Sequence, residues 1–288
     1  MSDIISYENV LPIAPLKIAA LEGCLDLARG VDDYLVRFRE STNQKLQGTP
    51  DFQGYHEDSY IIRSACPRFG TGEAKGILYD SVRGVDLFIM ADVLNHSLSY
   101  TVCGHKNYMS PDDHYQDLKR IISATNGKAH RINVIMPFLY EGRQHKRSQR
   151  ESLDCAFALQ ELVDMGVTNI ITFDAHDPRV CNAVPLYGFD SFNPPYQFIK
   201  GLLKAEPDLK IDKEHLMVIS PDEGAMERAV YFAGVLGVDM GMFYKRRDYS
   251  VVVRGKNPIV AHEFLGDALS GKDVIIIDDM ISSGDSML

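Results

Sequence analysis

Near the end of the sequence, two carboxylates and a run of small, hydroxyl-bearing residues follow directly on an apolar stretch. Val274-Ile275-Ile276-Ile277 leads into Asp278-Asp279-Met280-Ile281-Ser282-Ser283-Gly284-Asp285-Ser286. Four apolar residues in a row read as a buried strand, and ligands of open α/β sheets bind at the C-terminal ends of such strands. Small residues let backbone N–H groups approach a phosphate closely, and the serine hydroxyls add donors. The carboxylates can accept hydrogen bonds from sugar hydroxyls or reach them through Mg²⁺. Helix capping uses the same residue types, so a plain strand-to-helix turn remains open at this point.

Four other segments follow apolar runs in the same way. Thr172-Phe173-Asp174-Ala175-His176 ends one strand candidate in Asp and His, a pair that holds a cation only with water or phosphate oxygens, and a lone loop histidine is equally consistent with it. Ser220-Pro221-Asp222-Glu223-Gly224-Ala225 has the composition of a helix N-terminus, with Pro first and acids in the first turn. Arg143-Gln144-His145-Lys146-Arg147, with Arg150, concentrates cations that suit a polyphosphate in an otherwise acidic chain, or that solvate a helix start. Lys245-Arg246-Arg247 puts tandem cations at a strand end, where they could neutralise charge building on phosphoryl oxygens or guard a loop. Upstream, Pro67-Arg68-Phe69-Gly70-Thr71-Gly72-Glu73 contains a G-x-G, but no strand–turn–helix pattern surrounds it, so it is not a dinucleotide site.

In order, these segments resemble the motifs of ribose-phosphate diphosphokinases. Asp278–Ser286 is similar to the phosphoribosyl-binding signature shared with type I phosphoribosyltransferases, with Ser282 where an acid is usual and Asp285 where Gly is common. Thr172–His176 resembles the family's D-L-H motif, although Asp177-Pro178-Arg179 departs from the residues that usually follow. Ser220–Ala225 resembles S-P-D-x-G-[GA], and Met136–Gln144 resembles P-Y-x-x-Y-x-R-Q-D with His145 in place of the acid. Lys245–Arg247 resembles the K-x-R of a catalytic loop. Phe69–Glu73 resembles F-x-D-G-E with Thr71 replacing Asp, and Ser81–Asp86 fits S-V-R-G-x-D. The resemblance runs from about residue 67 to the C-terminus, is loose over the first 66 residues, and marks a divergent member.

The resemblance implies a diphosphate transfer from ATP to the 1-hydroxyl of ribose 5-phosphate, with AMP leaving. It implies ATP contacts from Phe69, Glu73, Arg143, Gln144 and His145, the adenine-contacting pair serving a neighbouring subunit. It places ribose 5-phosphate on Asp278, Asp279, Ser282, Ser283, Gly284, Asp285 and Ser286. Lys245 and Arg247 inherit catalysis, and His176 and Asp222 hold Mg²⁺. The family's homo-oligomers, commonly hexamers built from dimers, are expected too. Two other readings stay open: a phosphoribosyltransferase, which would share Asp278–Ser286 but have no use for Arg143 or Phe69, and a non-catalytic regulatory homologue, suggested by Thr71, His145 and Ser282.

These residues need a scaffold of strand ends. Strand candidates are Val85–Ala91, Ile132–Phe138, Asn169–Phe173, His215–Ile219, Met240–Tyr244 and Asp273–Ile277, mostly continuous apolar runs. Helical faces lie between them, Leu153, Ala156, Leu159 and Val163 on one helix and Met226, Ala229, Val230 and Ala233 on another. Alternating strands and helices predict an α/β fold with mainly parallel sheets; the resemblance makes it two phosphoribosyltransferase-like domains. The break at Phe192-Asn193-Pro194-Pro195 divides residues 1–192 from 193–288, and inserted loops are expected near 36–60 and 92–111. The helix that Asp278–Ser286 would normally open is absent from the sequence, which predicts a truncated chain.

Composition narrows the class. The net charge of −10 excludes a generic nucleic-acid binder, so clustered cations have local tasks. Five cysteines without a C-x-x-C pair predict free thiols in a reducing compartment. With neither a secretory leader nor a membrane-length apolar run, the expectation is a cytoplasmic protein.

Overall fold

Strands covered on both faces need apolar side chains at every position, and the central strands have them: Leu87, Ile89 and Met90 on one, Val134 and Met136 on the next, are all fully buried. The computed structural model describes residues 12–45, 55–247, 259–281 and Gly284. They fall into two compact units, Met1–Asn193 and Pro194–Leu288.

The first unit runs β1 (Leu16–Ala20), α1 (Leu25–Lys45), β2 (Ile61–Ile62), β3 (Ser64–Ala65), β4 (Ile77–Leu78), β5 (Asp86–Met90), β6 (Ser99–Val102), β7 (His105–Tyr108), α2 (Pro111–Ala124), β8 (Arg131–Met136), α3 (Asp154–Asp164), β9 (Asn169–Phe173) and β10 (Gly188–Phe192). Six strands form one parallel sheet in the order β10-β9-β8-β5-β1-β2. Alternate residues feed opposite faces. Ala19, Leu87 and Ile89 pack with Leu118 and Ile121 of α2 and Leu159 and Leu162 of α3. Ile18, Ala20 and Met90 pack with Ala28 of α1. Each large side chain buried in this way contributes about 1.5–3 kcal/mol. Helix α2 is fixed at its start by a capping box: the Ser110 hydroxyl accepts from the Asp113 amide (3.2 Å), the Asp113 carboxylate accepts from the Ser110 amide (2.9 Å), and Pro111 opens the first turn.

The second unit runs α4 (Pro195–Ala205), β11 (Leu216–Ser220), α5 (Met226–Leu236), β12 (Asp239–Arg247), β13 (Ile259–Leu265) and β14 (Asp273–Ile276). Its sheet order is β13-β12-β11-β14, with β11 parallel to both β12 and β14, and β13 antiparallel to β12. Leu216 and Val218 pack beneath Ala229, Phe232 and Ala233 of α5, which ends at Gly237 in the left-handed region (φ 72°).

Several expectations need correcting. Residues 36–45 continue α1 rather than forming a loop, and residues 46–54 lie outside the described residues. The stretch 92–111 contains the β6–β7 hairpin, closed by Cys103 and Gly104, both at positive φ as a type I′ turn requires. The buried stripe of α3 is Cys155, Ala158, Leu159 and Leu162, one position away from the face expected. On α5, Met226 and Val230 are exposed and Phe232 is buried instead. In both helices the fully buried positions include small residues, Cys155 in α3 and Ala229 in α5. Lys245–Arg247 belong to β12 and pair with β13, rather than following the strand as a loop.

Candidate active site

In the first unit the segment after β8 turns back sharply. Glu141 takes a positive φ of 54°, the Gln144 amide donates to the Glu141 carbonyl (2.8 Å), and Gln144 Nε2 donates to the Ser152 carbonyl (2.7 Å). This leaves Arg143 exposed and His145 half-buried. His145 Nδ1 donates to the Arg143 carbonyl (3.2 Å), and its Nε2 lies 3.4 Å from Asp177 Oδ2. The His145 and His176 rings are 5.2 Å apart between centroids. The segment after β9 is also strained into place, with Asp174 at φ 42° and its amide donating to the Phe192 carbonyl (3.0 Å). The structure therefore brings together His145 and His176, which lie 31 residues apart in sequence.

Phe69 and Glu73 occupy a separate tight loop. The Phe69 amide donates to the Glu73 carbonyl (2.6 Å), and Phe69 is 51% exposed at the tip. The Thr71 hydroxyl donates to Glu73 Oε2 (3.0 Å). Gly72 sits at φ 92° with Val102 close by: a Cβ there would come within 2.9 Å of Val102 Cγ2. The loop is anchored by Arg68, whose NH2 donates to Asp117 Oδ2 (2.8 Å) and whose guanidinium lies 4.7 Å from the Tyr100 ring centroid. Burial pushes the Asp117 carboxyl up, while Arg120 and Arg68 oppose that rise. Arg68→Ala is expected to cost about 2 kcal/mol, because a buried carboxylate loses one of its two cationic partners. A urea titration measures this, and a midpoint equal to that of the wild type would show the anchor to be dispensable.

In the second unit, two strand ends meet. The Asp222 carboxylate accepts from the Gly224 amide (3.0 Å) at the start of the short turn that leads into α5. On the neighbouring strand the Asp279 amide donates to Asp278 Oδ1 (2.9 Å). Burial, the adjacent Asp279 and the nearby Asp222 carry the Asp278 carboxyl up to about 6. Gly284 takes a positive φ of 86°. Ser282, Ser283, Asp285 and Ser286 lie outside the described residues, as do the side chains of Lys245 and Arg247.

The raised Asp278 has a consequence for stability. Between the usual carboxylate range near 4 and about 6, the folded chain keeps a proton on Asp278 that the unfolded chain has released. This contribution to stability is therefore present at pH 4 and lost as pH rises through 6. Asp278→Asn is expected to raise the melting temperature at pH 7.5 but not at pH 4.5. Equal shifts at both values would contradict the crowding of carboxylates at this strand end.

The same crowding fits a divalent cation. Among the described residues no group of three or more His, Cys, Asp or Glu side chains is spaced to hold a metal by itself. Mg²⁺ needs less than that, since it binds through one or two carboxylates and completes its shell with water and substrate phosphates. The cysteines offer no alternative: all five are free thiols, and burial pushes Cys24 and Cys155 up to about 12. No helix among the described residues is long and apolar enough to cross a membrane.

Sequence reasoning did not see Asp177, held by Arg179, as a partner of His145, nor Arg68 as the anchor of its loop. The first had a signal, the departure at Asp177-Pro178-Arg179; the second had none, because Asp117 lies 49 residues away.

Two α/β units with the candidate residues at the C-terminal ends of parallel strands define a protein built on the phosphoribosyltransferase plan. Residues 16–166 match the family model for the N-terminal domain of ribose phosphate pyrophosphokinase, and residues 196–288 match that for the phosphoribosyl transferase domain. The chain belongs to the ribose-phosphate pyrophosphokinase family. It is 28% identical over 217 residues to the ribose-phosphate pyrophosphokinase of Streptomyces coelicolor, covering 75% of this chain and 60% of that protein. It is 31% identical over 225 residues to that of Wolinella succinogenes, covering 76% and 63%. Against the Chlorobaculum tepidum protein the match is 25% over 279 residues, covering 95% and 70%. The chain thus spans less than two thirds of the first two relatives. The crystal structure of phosphoribosylpyrophosphate synthetase from Mycobacterium smegmatis shares the fold, with a TM-score of 0.69 at 21% identity over 94% of this chain and 74% of that one.

Proposed function

We propose that this chain transfers the diphosphate of ATP to the 1-hydroxyl of ribose 5-phosphate. The sugar O1 attacks the β-phosphorus, the bond from that phosphorus to the AMP oxygen breaks, AMP leaves, and the hydroxyl proton passes to solvent. One observation carries the reading. Arg143 and Gln144 after β8, His176 after β9, Asp222 after β11, and Asp278 and Asp279 after β14 all lie beyond the C-terminal ends of parallel strands. Open α/β sheets bind ligands at these ends.

Roles follow from the chemistry of each group. We assign Arg143 and Gln144, with His145, to the polyphosphate of ATP, Arg143 supplying a fixed fork of donors. Phe69 offers an exposed ring for the adenine of a neighbouring copy, which implies a homo-oligomer. Asp278 and Asp279 accept from the ribose hydroxyls, and the following small residues offer N–H groups to the 5-phosphate. Mg²⁺, when bound, would neutralise phosphoryl charge, and we assign His176 in the first unit and Asp222 in the second as candidate ligands, each completed by phosphate oxygens and water. Lys245 and Arg247 stabilise charge on the diphosphate as it moves. Free thiols fit a reducing compartment such as the cytoplasm.

The test is an AMP-release assay with ATP, ribose 5-phosphate and Mg²⁺. AMP should form only when all three are present. ADP as the product, or AMP release that does not depend on ribose 5-phosphate, would overturn the proposal.

A further inference from the structure

His145 is held by a network that the proposed chemistry does not itself require. Asp177 follows His176, and its side chain is only 10% exposed. Arg179 grips it: the amide of Arg179 donates to Oδ1 (2.9 Å), Nε donates to Oδ1 (2.9 Å) and Oδ2 (3.2 Å), and NH2 also donates to Oδ2. Capping the short turn Pro178–Ala183 needs only the first of these bonds. The rest fix the carboxylate plane, and its Oδ2 faces His145 Nε2. The other nitrogen of that ring points at the Arg143 carbonyl. The imidazole therefore spans from the segment that carries Arg143 and Gln144 to the end of β9, with the His176 ring beside it. Arg143 is itself exposed on a turn, so its position depends on how that turn is held.

We propose that Asp177 and Arg179 are positioning residues for the nucleotide site: Arg179 fixes the Asp177 carboxylate, the carboxylate fixes the His145 ring, and the ring holds the Arg143–Gln144 segment in register with His176. This rests on the nucleotide role proposed above for Arg143 and Gln144.

The test uses the full chain as wild type, Asp177→Asn, Asp177→Glu and Arg179→Leu. Asp177→Asn keeps the capping oxygen and removes the charge. Arg179→Leu alters an exposed side chain, so folding is not at issue there. Amide hydrogen exchange is followed over residues 141–152 without ligand, and KM and kcat are measured for ATP. Asp177→Asn should speed exchange in that segment and raise KM about tenfold, the effect of weakening one partly buried ion pair. The kcat should stay within about twofold, as expected when only ground-state positioning is lost. Asp177→Glu should recover part of the affinity, and Arg179→Leu should move KM the same way. Unchanged exchange overturns the tether; faster exchange with unchanged KM reduces Asp177 to a turn cap and overturns the positioning role; equal losses in affinity and turnover do the same. An equilibrium titration separates the two layers: wild-type protein that binds no ATP removes the nucleotide site itself, and this inference with it.

Discussion

Lys245→Ala is expected to lower kcat by about 10²- to 10³-fold, the range for removing one donor aimed at charge that develops in a transition state. The Kd for ATP should change by no more than about threefold, because the ground-state contacts proposed for Arg143 and Gln144 remain. Phosphoryl transfer asks little covalent chemistry of the protein, so fixed cations are its main lever. The backbone supports a special placement for this residue. Lys245 pairs with His262 in the antiparallel β12–β13 ladder, and the register shifts between Arg246 and Arg247. Such bulges bend a strand and increase its twist, and they recur beside active sites. Single-turnover kinetics with an independent ATP titration separate the two quantities. Parallel losses in affinity and rate would make Lys245 a binding residue and leave the charge-stabilising role empty.

Asp86→Ala should leave KM for both substrates unchanged while lowering unfolding free energy by about 3–4 kcal/mol, the cost of breaking one side of a buried ion pair. Asp86 opens β5 and is buried; Oδ1 accepts from Arg131 Nε (2.8 Å) and Asn133 Nδ2 (2.7 Å), and Oδ2 pairs with Arg131 NH2. Its removal leaves the buried Asn133 amide with only its longer bond to the Leu87 carbonyl (3.3 Å). This network sits at the N-terminal ends of parallel strands, away from the ends that carry the candidate site, so stability and catalysis should separate. Urea unfolding monitored by circular dichroism measures the loss. A loss below about 1 kcal/mol would place the pair among solvated surface contacts.

The central strands were legible because burial on both faces leaves an uninterrupted apolar signature. The stretch Val85–Ala91 contains β5 (Asp86–Met90), and His215–Ile219 differs from β11 (Leu216–Ser220) by one residue at each end. Elements with half-exposed faces were not. β10 alternates exposed and partly buried residues through Gly, Asp and Ser, and it closes the sheet as an edge strand. Helix α1 hides its periodicity by burying a polar residue: Asp32 accepts from the Tyr60 amide (2.7 Å) and the Ser59 hydroxyl (2.7 Å), while Tyr34 and Phe38 lie exposed. A carboxylate in a core position and aromatics on the surface invert the pattern on which periodicity depends. The candidate site residues stand out singly in the sequence, as acids, cations and histidines after apolar runs. Their partners were not, because Arg68–Asp117 and His145–Asp177 join segments 49 and 32 residues apart through side chains alone.

The most direct measurement follows the β-phosphorus of ATP by ³¹P NMR in the presence of the chain, Mg²⁺ and ribose 5-phosphate. Diphosphate transfer predicts that the ATP signals give way to AMP and to a diphosphate coupled to the anomeric position of the sugar, in equal amounts. Signals of ADP and a sugar bisphosphate, or of AMP with free pyrophosphate from the outset, would contradict it.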